Sequence, residues 1–125
     1  AAIATDLGVV SREVYSHLCG ADLVALEANY DHQRLLAGPY PYYLKRRIDS
    51  PQGHLSNAES AAVVAALVAE GCNKIALCHL SQENNHPDLA RGAMQDALFS
   101  AGLTLPEEGV LQVSRRHSVS PWIEF

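Results

Sequence analysis

The apolar run at residues 61 to 69 constrains the fold most, because it is apolar almost all round a helix. Asn57 is a suitable N-cap, and Gly71 suits the left-handed residue that closes a helix, so residues 58 to 70 are predicted to be helical. A helix with so little polar surface is expected to lie against a sheet and beneath a further layer. The run therefore predicts an α/β fold with this helix in its interior.

Two His-Leu-Ser triplets flank this helix. The first begins at His54, just before the helix, and the second begins at His79, directly after a predicted buried strand at residues 74 to 78. In open α/β sheets, ligands bind beyond the carboxyl ends of the parallel strands, near helix N-termini. Both histidines are thus expected to face one crevice.

The composition indicates one soluble domain, since the 125 residues are 48% hydrophobic and 18% charged. No uninterrupted apolar stretch reaches the roughly 18 residues of a membrane span, and the start lacks the basic flank of a signal peptide. The three cysteines form no C-x-x-C pair, which favours a reduced, cytoplasmic protein. A net charge of −5 excludes a general nucleic-acid coat, so any contact with nucleic acid must be local.

Two basic clusters are candidates for such a contact, Lys45-Arg46-Arg47 and Arg115-Arg116-His117, although each is more commonly a solvated loop. The first lies within residues 39 to 51, where Pro39 and Pro41 predict a surface excursion and no single regular element. Three tyrosines accompany its basic residues. This mixture is typical of surfaces that contact phosphates and stack on bases, and a packed aromatic loop accounts for it equally well.

Short β-like and helical segments alternate along the chain. Strands are predicted at residues 2 to 5, 23 to 26, 74 to 78, 110 to 113 and 122 to 125, and helices are predicted after Ser11, after Asp31, at 58 to 70 and from Pro87 to about Ser100. This order predicts right-handed crossovers and a largely parallel sheet for the first three strands, with antiparallel strands near the C-terminus.

An ionisable residue stands at the end of each of the first three strands: Asp6, Glu27 and His79. Parallel crossovers would bring them to one edge, where an aspartate and a histidine are suitable ligands for a divalent metal ion. Glu27 could then orient His54 through a ring N–H. The alternative for each residue is that it caps a helix or satisfies loop amides, and the pattern leaves both interpretations open.

Five stretches, taken together and in order, resemble the C-terminal half of the metallo-β-lactamase superfamily. They are most similar to its YycJ/WalJ-like branch, and more distantly to the tRNA 3′-processing endonucleases. The stretches are TDLG (5 to 8), LEANYDH (26 to 32), GPYPYYLKRRI (38 to 48), GHLSN (53 to 57) and CHLSQENNHP (78 to 87). The resemblance covers nearly the whole chain and implies half of an αββα metallo-β-lactamase fold, a mostly parallel sheet with flanking helices.

The resemblance also implies roles at a dinuclear zinc or manganese centre. Asp6 matches the aspartate that bridges both metals, and His79 matches a histidine that binds one of them. Glu27 and His54 match the pair that delivers a proton to the leaving oxygen. The remaining candidates are expected to bind substrate or to support the metal ligands: Lys45, Arg46, Asn84, Asn85 and His86.

These roles imply a metal-dependent phosphodiesterase, an exonuclease acting on DNA, in which two divalent ions generate a hydroxide near neutral pH. The family's H-x-H-x-D-H motif is absent, so residues 1 to 125 are expected to be the C-terminal half of a domain that binds metal weakly alone. The missing N-terminal half is the expected partner. The sheet face that this half covers would invite homodimerisation.

Two alternatives remain at this stage. The chain could be a non-catalytic α/β module that binds a small anion in the same crevice. It could also belong to a superfamily hydrolase of an ester that is not a nucleic acid, because a fold does not determine a function.

Overall fold

The computed structural model describes residues 1 to 125. Nine elements alternate along the chain, and their bounds are β1 (Ala2–Ala4), α1 (Arg12–Leu18), β2 (Leu23–Glu27), α2 (His32–Ala37), α3 (Tyr42–Ile48), α4 (Asn57–Ala69), β3 (Lys74–Cys78), α5 (Pro87–Ser100) and β4 (Val110–Val113). None of the helices combines the length and the apolar character needed to cross a membrane.

The four strands form one sheet in the order β1-β2-β3-β4, and every neighbouring pair is parallel. The predicted α/β class and the parallel arrangement of the first three strands are confirmed. The expected antiparallel strands near the C-terminus are wrong. The chain returns through α5 to the amino end of the sheet, so β4 runs parallel to β3, and residues 122 to 125 form no strand.

The hydrophobic core lies between one face of the sheet and helices α4 and α5. The parallel register places Val24 beside Ile75 and Leu26 beside Leu77, and all four side chains are fully buried. The helices contribute further buried side chains to the same cluster: Ala61, Val64 and Leu67 from α4, and Ala90 and Met94 from α5. Because all four strands are parallel, their carboxyl ends lie at one edge of the sheet.

The opposite face of the sheet carries apolar residues on its first three strands and a polar residue on β4. Ile3 of β1 pairs with Ala25 of β2, which pairs with Ala76 of β3 and then Gln112 of β4. Ile3 is 77% exposed. This face therefore offers apolar surface to a further layer of structure.

The helix α4 is buried on one side only. Its alanines at positions 58, 62, 66 and 69 lie at the surface, so the additional layer expected over it is not found in this chain. Its N-cap is Ser56, which forms a capping box with Glu59, and the prediction of Asn57 as the cap was wrong. The side chain of Asn57 is consequently available for another contact.

The region around the tyrosines is more regular than its prolines suggested. Helix α3 begins directly after Pro41, which occupies the N-cap position, where a missing backbone N–H leaves no helical hydrogen bond unmade. Residues 39 to 51 thus form no single regular element, as predicted, but the helix within them was not expected. The predicted caps Ser11 and Asp31, and Pro87 in the first turn of α5, are confirmed.

Candidate metal centre

Four ionisable side chains meet at the carboxyl edge of the sheet. Asp6 follows β1, Glu27 is the last residue of β2, His79 follows β3, and His54 precedes α4. One possible ligand atom from each lies within 4.8 Å of the others. The structure therefore brings together the four residues that the sequence predicted at this site.

Glu27 is the centre of this cluster. Its carboxylate is completely buried and accepts three hydrogen bonds, from His54 Nδ1 at 2.7 Å, from His79 Nδ1 at 2.6 Å and from the Leu7 N–H at 3.0 Å. Because an ionised carboxylate only accepts hydrogen bonds, both Nδ1 atoms are the donors, and each neutral imidazole keeps its lone pair on Nε2. Glu27 thus orients both histidines and leaves their outer nitrogens available.

The backbone at Asp6 and His79 adopts an uncommon conformation. Their φ angles of 58° and 56° are the only positive values among the non-glycine residues. Nearby hydrogen bonds hold both turns, since the Leu7 N–H donates to Glu27 and Asn29 Nδ2 donates to the His79 carbonyl at 2.7 Å. Strain of this kind concentrates at functional sites, where the surrounding structure holds a side chain in a required direction.

Two glycines allow the loops beneath His54 to approach closely. A Cβ on Gly53 would lie 2.1 Å from the Ile48 carbonyl oxygen, and one on Gly8 would lie 2.2 Å from the Ser50 carbonyl oxygen. The His54 N–H donates to the same Ile48 oxygen at 3.1 Å. The loop after β1 therefore packs against the segment that carries His54.

The donor atoms suit a divalent metal ion. The Asp6 side chain is 68% exposed and that of His79 is 44% exposed, and Asp6 Oδ1 lies 3.8 Å from His79 Nε2. Imidazole nitrogen with carboxylate oxygen is a common donor set for zinc and also suits manganese. Burial and the charge of Glu27 raise the pKa of the neighbouring Cys78 to about 11, so its thiol stays protonated and is a poor ligand.

A cleft of about 1050 Å³ opens beside His54 and His79. Basic side chains also line this cleft, namely Arg91, Arg115, Arg116 and His117. Lys45 and Arg46 do not line it. Lys45 Nζ donates to the Leu36 carbonyl at 2.6 Å, and the Arg46 guanidinium lies 5.8 Å from the centre of the Tyr42 ring.

The loop before α5 divides into residues with different surroundings. Asn85 is buried, and its amide donates to the Ala28 carbonyl and to Asn57 Oδ1 while accepting from Asn57 Nδ2 and the His86 N–H. All its hydrogen-bonding capacity is used within the protein, which indicates a structural clamp. His86 lies at the cleft and is the N-cap of α5, where its Nδ1 accepts from the Asp88 N–H at 3.2 Å.

Asn84 is also buried, at 1% exposure, and lines the cleft. Its backbone carbonyl accepts from the Asp31 N–H, but its Oδ1 has no hydrogen-bond partner. A buried carbonyl oxygen that lacks a donor costs free energy, so this oxygen is free to accept a hydrogen bond from a bound group or a water molecule.

Curated proteins similar to this chain carry exonuclease names. The exodeoxyribonuclease YycJ of Bacillus anthracis is 36% identical over 106 residues, which are 85% of this chain and 40% of that protein. The exodeoxyribonuclease WalJ of Streptococcus pneumoniae serotype 2 (strain D39) is 40% identical over 99 residues, which are 79% of this chain and 37% of that protein. This chain is a homologue of the YycJ and WalJ proteins, which belong to the metallo-β-lactamase superfamily.

The match falls on the C-terminal part of the YycJ and WalJ proteins, and the chain spans about 40% of their length. No family profile and no solved structure matches the chain. The sequence identity to YycJ and WalJ confirms the family relationship predicted from the five motifs. The roles of the individual residues remain predictions.

Sequence reasoning missed two features of this YycJ/WalJ homologue. It did not find the second contact of Glu27, to His79, and it chose Lys45 and Arg46 over the basic residues that line the cleft. The sequence did hold a signal for the basic residues of the cleft. Arg115 and Arg116 come shortly after β4, as His79 comes after β3.

Proposed function

We propose that this chain supplies one part of the catalytic centre of a metal-dependent exonuclease acting on DNA. The observation that carries the proposal is the convergence of Asp6, Glu27, His54 and His79 within 4.8 Å at the carboxyl edge of a parallel sheet. The names of the relatives support the substrate and the reaction, since both are exodeoxyribonucleases.

Asp6 and His79 are the proposed metal ligands. Each offers an exposed donor atom, and Glu27 holds the His79 ring so that Nε2 is the available nitrogen. Divalent zinc or manganese ions bound there would activate water and stabilise negative charge on the phosphoryl oxygens. A two-metal site needs more ligands than this chain offers, so residues outside positions 1 to 125 would complete it.

His54 is the proposed general acid. Its Nδ1 donates to the buried Glu27 carboxylate at 2.7 Å, and the ring lines the cleft in which a substrate would lie. A buried carboxylate compensates the positive charge of a protonated imidazole, so His54 can carry a second proton and deliver it to the leaving oxygen. Glu27 therefore acts through the two histidines and does not contact the substrate.

The proposed partner is the N-terminal half of the same fold, so that residues 1 to 125 form the C-terminal half of one domain. The sheet face that carries Ile3 and Ala25 is the proposed contact, since both residues are apolar and Ile3 is 77% exposed. In the absence of this partner, the same face would favour a homodimer. All three cysteines are free thiols, which is consistent with the reduced, cytoplasmic setting proposed from the sequence.

A chimera tests this function directly. This chain would replace the matching C-terminal segment of WalJ, and manganese-dependent release of nucleotides from labelled DNA would be measured. We expect activity in the chimera and a loss of about a hundredfold or more in the Asp6→Ala and His79→Ala variants.

The matched control is Asp22→Ala, which removes a carboxylate at the amino end of β2, away from the cluster, and should retain activity. A folded chimera that binds manganese and yet releases no nucleotides would refute the proposed function. Full activity in Asp6→Ala would refute the assignment of the metal ligands.

A further inference from the structure

We propose that Arg115 and Arg116, together with Arg91, form a surface that binds the phosphodiester backbone of a nucleic acid beside the candidate metal centre. This inference rests on the proposed function and names the residues that would hold the substrate chain. Substrate binding is therefore assigned to the basic cluster after β4 and not to the Lys45 cluster, which the sequence favoured.

The fold places these arginines next to the reactive residues. The Ser114 N–H donates to the Leu77 carbonyl at 2.8 Å, which extends the pairing of β4 with β3 to the carboxyl edge of the sheet. Arg116 then donates from Nη2 to the Leu80 carbonyl, one residue beyond His79. The basic turn is thus attached to the loop that carries a proposed metal ligand.

The arginines also lack partners of opposite charge. Every ion pair in the structure joins a histidine to a carboxylate, and no lysine or arginine forms one. The cleft wall carries three arginines, and Asp88 is the one carboxylate among the lining residues. This local excess of positive charge lies in a chain whose net charge is −5.

The chemistry of such a wall favours phosphate. The planar guanidinium group pairs with phosphate oxygens through two parallel hydrogen bonds, and it binds them more strongly when no carboxylate competes. Arg91 is held in place because its Nη1 donates to the Leu111 carbonyl at 2.8 Å. Tyr40 lines the same cleft, and an aromatic side chain beside a basic wall suits the stacking of an exposed base.

The test measures binding of short fluorescent oligothymidylate to the 125-residue chain by anisotropy, with chelator present so that metal and hydrolysis do not contribute. For Arg115→Ala/Arg116→Ala, we expect an affinity loss of about tenfold near 0.1 M salt and a salt slope lower by about 1.4, because two phosphate contacts disappear. Arg115→Glu is a second variant. The Arg115 side chain makes no hydrogen bond in the structure, and only its backbone N–H does, so this change should not disturb folding.

Two comparisons make the result specific. Arg12→Ala/Lys74→Ala removes the same charge from positions outside the cleft, in the first turn of α1 and at the amino end of β3, and should change neither affinity nor slope. Lys45→Ala/Arg46→Ala tests the cluster that the sequence favoured. An oligoglutamate competitor distinguishes a nucleic-acid site from a general anion surface, and an oligouridylate arm distinguishes RNA from DNA.

The inference is overturned if the wild-type chain does not bind oligothymidylate at low salt, or if Lys45→Ala/Arg46→Ala weakens binding as much as the Arg115 and Arg116 change. It is also overturned if oligoglutamate competes equally. Failure of the proposed function gives a different result. If only the proposed function is wrong, the chain still binds DNA through Arg115 and Arg116, but the WalJ chimera does not hydrolyse it.

Discussion

Two polar networks lie side by side at the carboxyl edge of this sheet. One extends from a buried carboxylate to partly exposed histidines, and the other stays within the protein. The Glu27 carboxylate accepts from His54 and His79, whose side chains are 29% and 44% exposed. The Asn85 amide makes all its hydrogen bonds with buried or backbone groups. Both networks are satisfied, but only the first leads to donor atoms that solvent or a ligand can reach.

This difference separates two uses of a buried polar group. A network that ends at the surface can orient a metal ligand or a proton donor, because its outermost atoms are free to react. A closed network holds loops in place and adds to stability. Substitutions in the two networks should therefore have different consequences, and the following predictions test that separation.

The largest effect is expected for Glu27→Gln in the open network. The two histidines share Oε1 and the Leu7 N–H uses Oε2, so a glutamine amide must set its NH2 group against either the Leu7 N–H or the two rings. Either arrangement removes the buried negative charge and weakens the hold on both rings. We expect the affinity for zinc to fall about 10- to 100-fold, measured by competition with a chromophoric chelator. Glu13→Gln, on the exposed surface of α1, is the control, and equal affinity in both variants would show that Glu27 does not orient the ligands.

Asn85→Ala should produce the largest loss of stability in the closed network. The change removes four hydrogen bonds and leaves the Ala28 carbonyl and the Asn57 amide without those partners. We expect the free energy of unfolding to fall by about 3 kcal/mol in urea denaturation. The Asn73 side chain makes no hydrogen bond, so Asn73→Ala should cost much less. Zinc affinity in the folded Asn85 variant should be preserved. A parallel loss of affinity would mean that the two networks are one.

A smaller, pH-dependent effect is expected at Tyr30, which borders the closed network. Burial, followed by its hydrogen bond to Asp49 at 2.7 Å, raises the pKa of Tyr30 above its ordinary value of 10.0. The folded state therefore favours the protonated phenol. This contribution to stability is complete below about pH 10 and is lost as the pH rises towards the folded pKa.

Tyr30→Phe should lower the free energy of unfolding by about 1 kcal/mol near neutral pH, because the hydrogen bond is lost. Above about pH 10 its stability should decline less steeply than that of the wild type, as measured by urea denaturation across the alkaline range. Tyr43→Phe, at a position that is 74% exposed, is the matched control. An alkaline decline in Tyr30→Phe as steep as in the wild type would contradict the prediction.

Most regular elements were predictable, because local patterns determine them. The apolar run of α4, the buried strand β3, Ser11 and Asp31 as caps and Pro87 at the start of α5 each depend on residues within a few positions of one another. Where local rules compete, the prediction failed. Ser56 and Asn57 are both good caps, and the capping box with Glu59 decides between them.

The direction of the last strand needed information from further away. Residues 110 to 113 and 122 to 125 are similarly β-compatible, but only the first segment finds a partner in β3. The second runs from Trp122, at 94% exposure, to Phe125, at 64% exposure. Strand propensity alone does not distinguish a segment that pairs from one that does not.

The sequence by itself determined which residues stand at the strand ends, and hence that Asp6, Glu27 and His79 would meet at one edge. Only the tertiary structure decided that Glu27 holds two histidines, that Asn85 closes a network, and that Arg115 and Arg116 line the cleft. Glu27 and His79 lie 52 positions apart, and Asn85 and Ala28 lie 57 apart. Contacts over such separations depend on how whole elements pack, whereas helix and strand patterns depend on neighbours along the chain.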